Sequence, residues 1–152
     1  MGEGWTSPDR TVRRLSRLLA AAGVHAETLG ADEPDTGLFA YWNGRRARFQ
    51  ARAKGLNRIM RHTGVRTLVA VSGADLGMLR SKYPESGEPP PFRAVHATEL
   101  LAALIREGKL RPSRPVPRRV TYHDPCYLGR QSEPPVVWRG EVRVTHGCMA
   151  YA

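Results

Sequence analysis

Two histidines and two cysteines toward the end of this chain have types and spacings that suit metal binding. His123 precedes Cys126 by three positions, and His146 precedes Cys148 by two. Two imidazoles and two thiolates make the soft tetrahedral set that zinc prefers. The four side chains would converge if the two strands predicted to carry them are neighbours. Such a site would add directly to the free energy of folding.

Other kinds of chemistry find less support in the residues. Free cysteine is among the most buried residue types, so Cys126 has the alternative role of a small apolar side chain. Asp35-Thr36-Gly37 matches the catalytic triplet of aspartic proteases. That chemistry needs two carboxylates sharing one proton in a β-rich dimer, which the helices predicted below contradict. The chain has no glycine-rich phosphate loop and no Ser/His/Asp arrangement at useful spacing.

Helices and strands are predicted to alternate along the chain. Apolar residues at helical spacing predict helices at 8–22, 45–62 and 98–108 and a shorter helical piece at 76–83. Ser7-Pro8 is a start signal for the first helix, and Gly23 and Gly64 are end signals for the first two. Apolar and β-branched runs predict strands at 24–29, 67–72, 92–97, 118–124 and 141–146.

This alternation predicts an α/β fold with a mostly parallel sheet and flanking helices. The strand at 67–72 is a continuous apolar run, typical of a strand buried on both faces. In parallel sheets the chemistry lies just past the carboxyl ends of the strands. The loops that begin at Gly73 and Pro125, together with the loop at 31–37, are therefore the candidate positions for a site.

The composition indicates one globular domain with a basic surface. The chain has 152 residues, 41% of them hydrophobic and 25% charged, with a formal net charge of +10. The arginines are scattered and no basic stripe is interleaved with aromatics, so we expect an acidic protein surface as partner rather than nucleic acid. No apolar stretch approaches the roughly 18 residues of a membrane span, and no signal peptide is visible. The expected location is the cytoplasm.

A resemblance to a known family rests on three consecutive elements. TELLAALIREGKL, a proline-rich spacer and VTYHDPCYLGR resemble the cysteine-rich CCG domain of heterodisulfide reductase catalytic subunits. The same domain occurs in iron-sulfur subunits of glycolate oxidase and glycerol-3-phosphate dehydrogenase and in lactate-utilisation proteins. The resemblance covers the chain from Pro8 to about Arg130. It implies one domain over 1–152 with two half-units, about 1–92 and 93–152, the second abbreviated.

The resemblance also implies where cluster ligands would stand in the first half-unit. In the family, a leading cysteine, a Cys-Cys-Gly and a Cys-Pro-x-Cys supply thiolates to an iron-sulfur cluster. The first motif falls on Asp35-Thr36-Gly37 and the second on residues 73–76, which read Gly-Ala-Asp-Leu. The 37 positions between Thr36 and Gly73 fit the family interval. The spacing is kept, and the cysteines are absent.

In the second half-unit, two remnant ligand positions are expected. Cys126 matches the leading cysteine of that half, and Cys148 follows 22 positions later, too early for the family interval. The family strand that precedes the first helix has no counterpart before Pro8. Three alternatives therefore stay open for the chain: a partner-binding paralogue of the family, a fragment of a once larger gene, or a start site placed too late.

Together these features predict a degenerate, shortened member of the family that has no cofactor and no catalytic activity of its own. The family role is electron transfer, and the expected partner is a flavin- or iron-sulfur-containing oxidoreductase subunit. Two alternatives stay open: a small zinc- or cluster-binding redox protein that uses Cys126 and Cys148, and a basic nucleic-acid-binding protein.

Overall fold

The part of the chain that the structure describes has a mixed α/β arrangement of five α-helices and short strands. A computed structural model describes residues 8–30, 33–87, 89–123, 125–129, 131, 142–145 and 148–151. Within these ranges the order is α1 (Pro8–Ala21), α2 (Leu38–Trp42), α3 (Arg46–Thr63), β1 (Thr67–Ala70), α4 (Gly73–Gly77), β2 (Arg93–His96), α5 (Ala97–Arg106), β3 (Val142–Thr145) and β4 (Cys148–Tyr151). A π-helical turn (Met78–Lys82) extends α4, and a 3-10 turn (Pro84–Ser86) follows it.

The strands form two separate pairs. β1 and β2 are parallel, with Leu68 opposite Ala94 and Ala70 opposite His96. β3 and β4 are antiparallel, with Val142 opposite Tyr151. The strands predicted at 67–72, 92–97 and 141–146 are confirmed, and β4 was not predicted. In the described ranges the parallel sheet has two strands, each followed directly by a helix.

Two predicted strands are wrong. Residues 24–29 form no strand, because His25 to Thr28 are exposed and pair with no neighbouring strand. Residues 118–123 form no strand either, and every residue from 111 to 123 is exposed. The β-branched residues at 120 and 121 favour an extended backbone, but a strand also needs a hydrogen-bonded neighbour. The prolines at 115 and 117, just before this segment, also lack the amide donors that would extend such pairing toward the N-terminus.

The predicted helices are confirmed, and their ends follow the expected signals. α1 begins at Pro8, whose missing amide and fixed φ suit the first helical position. Gly23 and Gly64 follow α1 and α3 with φ of 72° and 69°, a left-handed conformation that glycine adopts without strain. α2 was not predicted, because its five residues are too few to show a helical period.

The core lies where α2 to α4 and the turn after α4 pack on the parallel strands. Its side chains are predominantly apolar and lie at Ala40, Phe49, Ala53, Leu56, Met60, Ala70, Leu76, Met78, Leu79, Tyr83, Phe92 and Ala94. A smaller cluster joins α1 to α5 through Leu19, Ala22 and Leu104. In the ranges given above, no helix is both long and apolar enough to cross a membrane.

Candidate functional site

Three segments that are distant in sequence meet just past the carboxyl end of β1. The Thr36 hydroxyl donates a hydrogen bond of 2.6 Å to Oδ1 of Asp75 at the start of α4. On another side of α4, a Cβ built on Gly73 would lie 3.1 Å from Cβ of Leu128. The loop at 35–37, α4 and the turn at 125–129 are thus in contact. We call the group Asp35, Thr36, Ser72, Asp75 and Tyr83 the polar junction.

Local hydrogen bonds shape the two loops of the polar junction. Asp35 Oδ1 accepts a bond of 2.8 Å from the Gly37 amide, which closes a tight turn before α2. Ser72 is the N-cap of α4, and its hydroxyl accepts a bond of 3.4 Å from the Asp75 amide. Gly37 has φ of 85°, and a Cβ there would approach Cδ2 of Phe49 to 3.0 Å. Only glycine fits at this position without strain.

Tyr83 holds the polar junction on the side that faces the core. Its ring is fully buried and meets Phe49 edge to face, with centroids 6.0 Å apart. Its hydroxyl donates a hydrogen bond of 3.1 Å to the Thr36 carbonyl. Burial raises the pKa of Tyr83 above its ordinary value, and the carboxylates of Asp35 and Asp75 raise it further. The phenol therefore stays protonated and acts as a donor at physiological pH.

The turn at 125–129 is held against α4 by close packing. The amides of Leu128 and Gly129 donate to the Pro125 carbonyl at 2.9 and 3.1 Å. A Cβ on Gly77 would lie 2.6 Å from Cδ1 of Tyr127 and 3.2 Å from its carbonyl oxygen, so the contact requires glycine on α4. The Trp42 indole N–H donates a bond of 2.5 Å to the Tyr127 hydroxyl. The turn that carries Cys126 is thus tied to both α2 and α4.

The predicted zinc ligands are only partly described. Cys126 is an exposed free thiol on the turn, which contradicts its alternative role as a buried apolar side chain. His123 is also exposed, in the unpaired segment before it. His146 and the side chain of Cys148 lie outside the described residues. Among the described residues no three histidine, cysteine, aspartate or glutamate side chains gather where a metal could bind. The four-ligand zinc site stays a prediction.

The strand arrangement assumed for that zinc site is wrong in the described ranges. Residues 118–123 form no strand, and β3 pairs with β4. The two His–Cys pairs are therefore not brought together by adjacent strands. Any convergence would have to come from loop geometry.

The side chains at the first-half ligand positions do not suit a cluster. Iron-sulfur clusters take several thiolate ligands, and the whole chain contains two cysteines. Within the stretches that the resemblance assigns to Cys-Cys-Gly and Cys-Pro-x-Cys, Thr36 stands at a cysteine position and Asp75 at the x, and the two are hydrogen-bonded to each other. A hydroxyl and a carboxylate in direct contact thus link the two loops.

A second polar network, missed in the sequence, joins α5 to the turn after α4. Arg80 forms a two-bond pair with Glu99, at 3.0 and 2.6 Å, and donates to the Ala94 carbonyl at 3.0 Å. Glu99 also accepts from the His96 amide at 2.9 Å, which completes a capping box on α5. Arg80 lowers the pKa of Glu99. The glutamate three positions after His96 was the available sequence signal.

Comparison with known proteins gives homology over most of the chain. The chain is 35% identical over 123 residues, 81% of its length, to an EtfAB:quinone oxidoreductase of Syntrophomonas wolfei. It is 33% identical over 119 residues to FadF of Bacillus subtilis, named a probable iron-sulfur-binding oxidoreductase. A 44-residue stretch is 50% identical to one subunit of the dihydromethanophenazine:CoB–CoM heterodisulfide reductase of Methanosarcina mazei.

These matches cover a small part of each relative. The chain spans 17% of the length of the first two proteins and 11% of the third. No protein-family model matches the chain, and no solved structure matches it. The chain is therefore homologous to a segment of oxidoreductases that include heterodisulfide reductase and a probable iron-sulfur protein. This relationship confirms the resemblance seen in the sequence at that level.

Proposed function

We propose that this chain is a partner-binding domain of an oxidoreductase system, derived from an iron-sulfur domain whose ligands have been replaced. The family role is electron transfer, and the partner we propose is a flavin- or iron-sulfur-containing oxidoreductase subunit. In this role the chain supplies a docking surface and no redox centre of its own.

The hydrogen bond between Thr36 and Asp75 carries the proposal. It joins two loops across 39 positions of the sequence, between Thr36, where the resemblance expects a ligand, and Asp75, which lies between the two expected ligand positions Gly73 and Leu76. A cluster would hold these loops through thiolates; here two polar side chains hold them, with Tyr83 fixing the Thr36 carbonyl. Replacement of ligands by mutually satisfied polar groups is what a domain needs to keep its fold without a cluster.

Metal analysis of anaerobically purified protein tests the proposal. Iron, zinc and acid-labile sulfide are measured per chain, together with the visible absorption spectrum, before and after incubation with ferrous iron and sulfide. We expect a colourless, folded protein with no stoichiometric metal. Cys126→Ser is the matched variant, and we expect the same metal content and thermal midpoint as for the unaltered chain.

Two results would contradict the proposal. Iron and sulfide in a fixed ratio, with visible absorption that Cys126→Ser abolishes, would show that a cluster assembles and would restore the redox role. Zinc near one per chain, lost in Cys126→Ser and in His123→Ala, would instead support the alternative small zinc protein.

A further inference from the structure

The exposed side of α3 carries a concentration of positive charge. The exposed arginine and lysine side chains along this helix and at its start are Arg45, Arg46, Arg48, Arg52, Lys54, Arg58 and Arg61. No aspartate or glutamate occurs between Asp35 and Asp75. The opposite side of α3 buries Phe49, Leu56 and Met60 in the core. The helix is anchored by its apolar side, and its basic side is left available for a partner.

Two large aromatic side chains on α2 lie next to this basic side. Phe39 and Trp42 are 67% and 51% exposed, and their rings meet edge to face with centroids 5.7 Å apart. Trp42 is held in place by its bond to the Tyr127 hydroxyl. An exposed aromatic side chain whose orientation is already fixed loses little conformational entropy when a partner covers it. Such residues are frequent binding hot spots.

A shallow cleft joins the aromatic and basic features. It has a volume of about 140 Å³ and is lined by Asp35, Phe39, Ala40, Asn43, Arg45 and Arg48. Arginine presents a planar fork of donors that matches a carboxylate, and Asn43 adds an amide beside it. The cleft is therefore lined both by an apolar ring and by groups that can bind a carboxylate.

We propose that Phe39, Trp42, Arg45 and Arg48 form a docking surface for an acidic segment of a partner protein that also carries an apolar side chain. This inference rests on the proposed function, because it names the surface through which a partner-binding domain would act. The apolar side chain packs on Phe39 and Trp42, and carboxylates pair with Arg45 and Arg48. We call these four residues the aromatic–arginine surface.

The ring geometry favours a protein partner over single-stranded nucleic acid. Proteins that bind single strands offer open aromatic faces on which successive bases stack. Here Phe39 and Trp42 meet edge to face, and Trp42 is also tilted against Tyr127 at a centroid distance of 5.8 Å. The rings form one compact apolar patch. This shape suits a single apolar side chain flanked by carboxylates.

Binding of a defined acidic peptide to the full chain tests the inference. The probe is a fluorescein-labelled peptide of alternating glutamate and leucine with one central tryptophan, followed by fluorescence anisotropy from low to physiological salt. We expect binding that weakens as salt rises, because the charge pairs are screened. A lysine–leucine peptide of the same length is the control probe and should not bind.

Three variants separate the aromatic–arginine surface from general charge. We expect Phe39→Ala to weaken binding at least about tenfold, as for a hot-spot aromatic. Arg45→Glu/Arg48→Glu should weaken it by a similar factor. Lys54→Glu/Arg58→Glu is the matched control, since both side chains are exposed further along the same helix, about 9 and 15 Å beyond Arg48, and the net charge falls by four units in each double variant. It should alter affinity less than about threefold. Circular dichroism checks that each variant is folded.

Several outcomes would overturn the inference. Equal loss of peptide binding in Lys54→Glu/Arg58→Glu and Arg45→Glu/Arg48→Glu would show nonspecific attraction. Tighter binding to phosphatidylglycerol vesicles or to oligo-dT, lost in Phe39→Ala, would assign the surface to a membrane or a nucleic acid. If the protein is metal-free but does not bind the peptide, the proposed docking surface is contradicted and the proposed loss of the cluster is not. Detection of iron with acid-labile sulfide in the purified protein would contradict the proposed function, whether or not the peptide binds.

Discussion

Two segments near expected cluster-ligand positions differ sharply in burial: the stretch from Ser72 to Tyr83, which contains such positions, and the segment at 111–123, which precedes Cys126. In the first, Leu76, Met78 and Tyr83 are fully buried. In the second, every residue is exposed, and Val120 is 88% exposed. One is part of the core, and the other only passes over the surface.

The difference shows what holds each of these two loops in place. Around α4, the core fixes the backbone. Donation by the Thr36 and Tyr83 hydroxyls, and acceptance by the Ser72 hydroxyl, complete the polar junction. Before Cys126, no comparable packing exists in the described residues, and the turn at 125–129 is placed by its own contacts with α4 and Trp42. The first loop is stable because of its core, and the second depends on a single docked turn.

Truncating one apolar side chain in each region gives the largest expected contrast. Leu76→Ala removes a side chain with 0% exposure and should lower the free energy of unfolding by about 2–5 kcal/mol. Val120→Ala should change it by less than about 0.5 kcal/mol, since an exposed side chain loses no packing. Urea unfolding followed by circular dichroism measures both. A cost above about 1 kcal/mol for Val120→Ala would mean that segment 111–123 packs on something in solution.

Adding one methyl group at a glycine breaks the docked turn. In Gly77→Ala the new Cβ would meet Tyr127 at 2.6 Å, so the turn at 125–129 must move. We expect a loss of about 1–3 kcal/mol, the usual cost of overpacking. The bond from Trp42 to Tyr127 should also be lost, and this would appear as a change in tryptophan fluorescence and faster reaction of Cys126 with a thiol reagent.

Gly55→Ala is the matched control for this change. Gly55 lies in α3, and a Cβ there meets nothing within 4 Å. Alanine has the higher helix propensity, so this variant should be more stable by about 0.5–1 kcal/mol. The two substitutions are chemically identical. If Gly77→Ala were as well tolerated as Gly55→Ala, the turn would not be packed on α4.

Much of this contrast follows from the sequence, because local signals and core packing agree around α3, β1 and α5. Gly64 ends α3, the apolar run at 67–72 contains β1, and the strand at 92–97 passes directly into α5. The apolar pattern that predicts α3 and α5 also buries one side of each helix. β1 is less buried than its continuous apolar run predicts, since Thr67 is exposed and only Ala70 of its four residues is buried. The failures at 24–29 and 118–124 have one cause: β-branched residues favour an extended backbone, but tertiary pairing decides whether it becomes a strand.

The candidate site was less accessible to sequence reasoning than the fold. The spacing between Thr36 and Gly73 correctly indicated that their loops belong together, as the Thr36–Asp75 bond shows. The spacing carried no information about which side chains join the two loops. Trp42 and Tyr127 are 85 residues apart in sequence, so no local pattern predicts their hydrogen bond. Contacts of this kind depend on the tertiary fold.

The smallest effect concerns the hydroxyl of Tyr83 and gives the sharpest test of the polar junction. Tyr83→Phe keeps the buried ring and removes the bond to the Thr36 carbonyl, so we expect a loss of about 1 kcal/mol at neutral pH. Asp35 and Asp75 disfavour a tyrosinate here, and burial disfavours it more, which raises the pKa of Tyr83 in the folded state. The matched variant is Tyr122→Phe, because Tyr122 is 75% exposed.

The pH dependence of these variants separates a buried donor from simple packing. Above pH 10 the unfolded chain releases the Tyr83 proton while the folded chain retains it, so stability must fall as pH rises from 10 through the folded-state pKa. Below pH 10 the contribution is fully present. Tyr83→Phe should flatten this decline between pH 10 and 11.5 in urea titrations, and Tyr122→Phe should leave its slope nearly unchanged. Equal slopes in all three proteins would mean that the Tyr83 hydroxyl reaches water, and the polar junction would then lack its buried anchor.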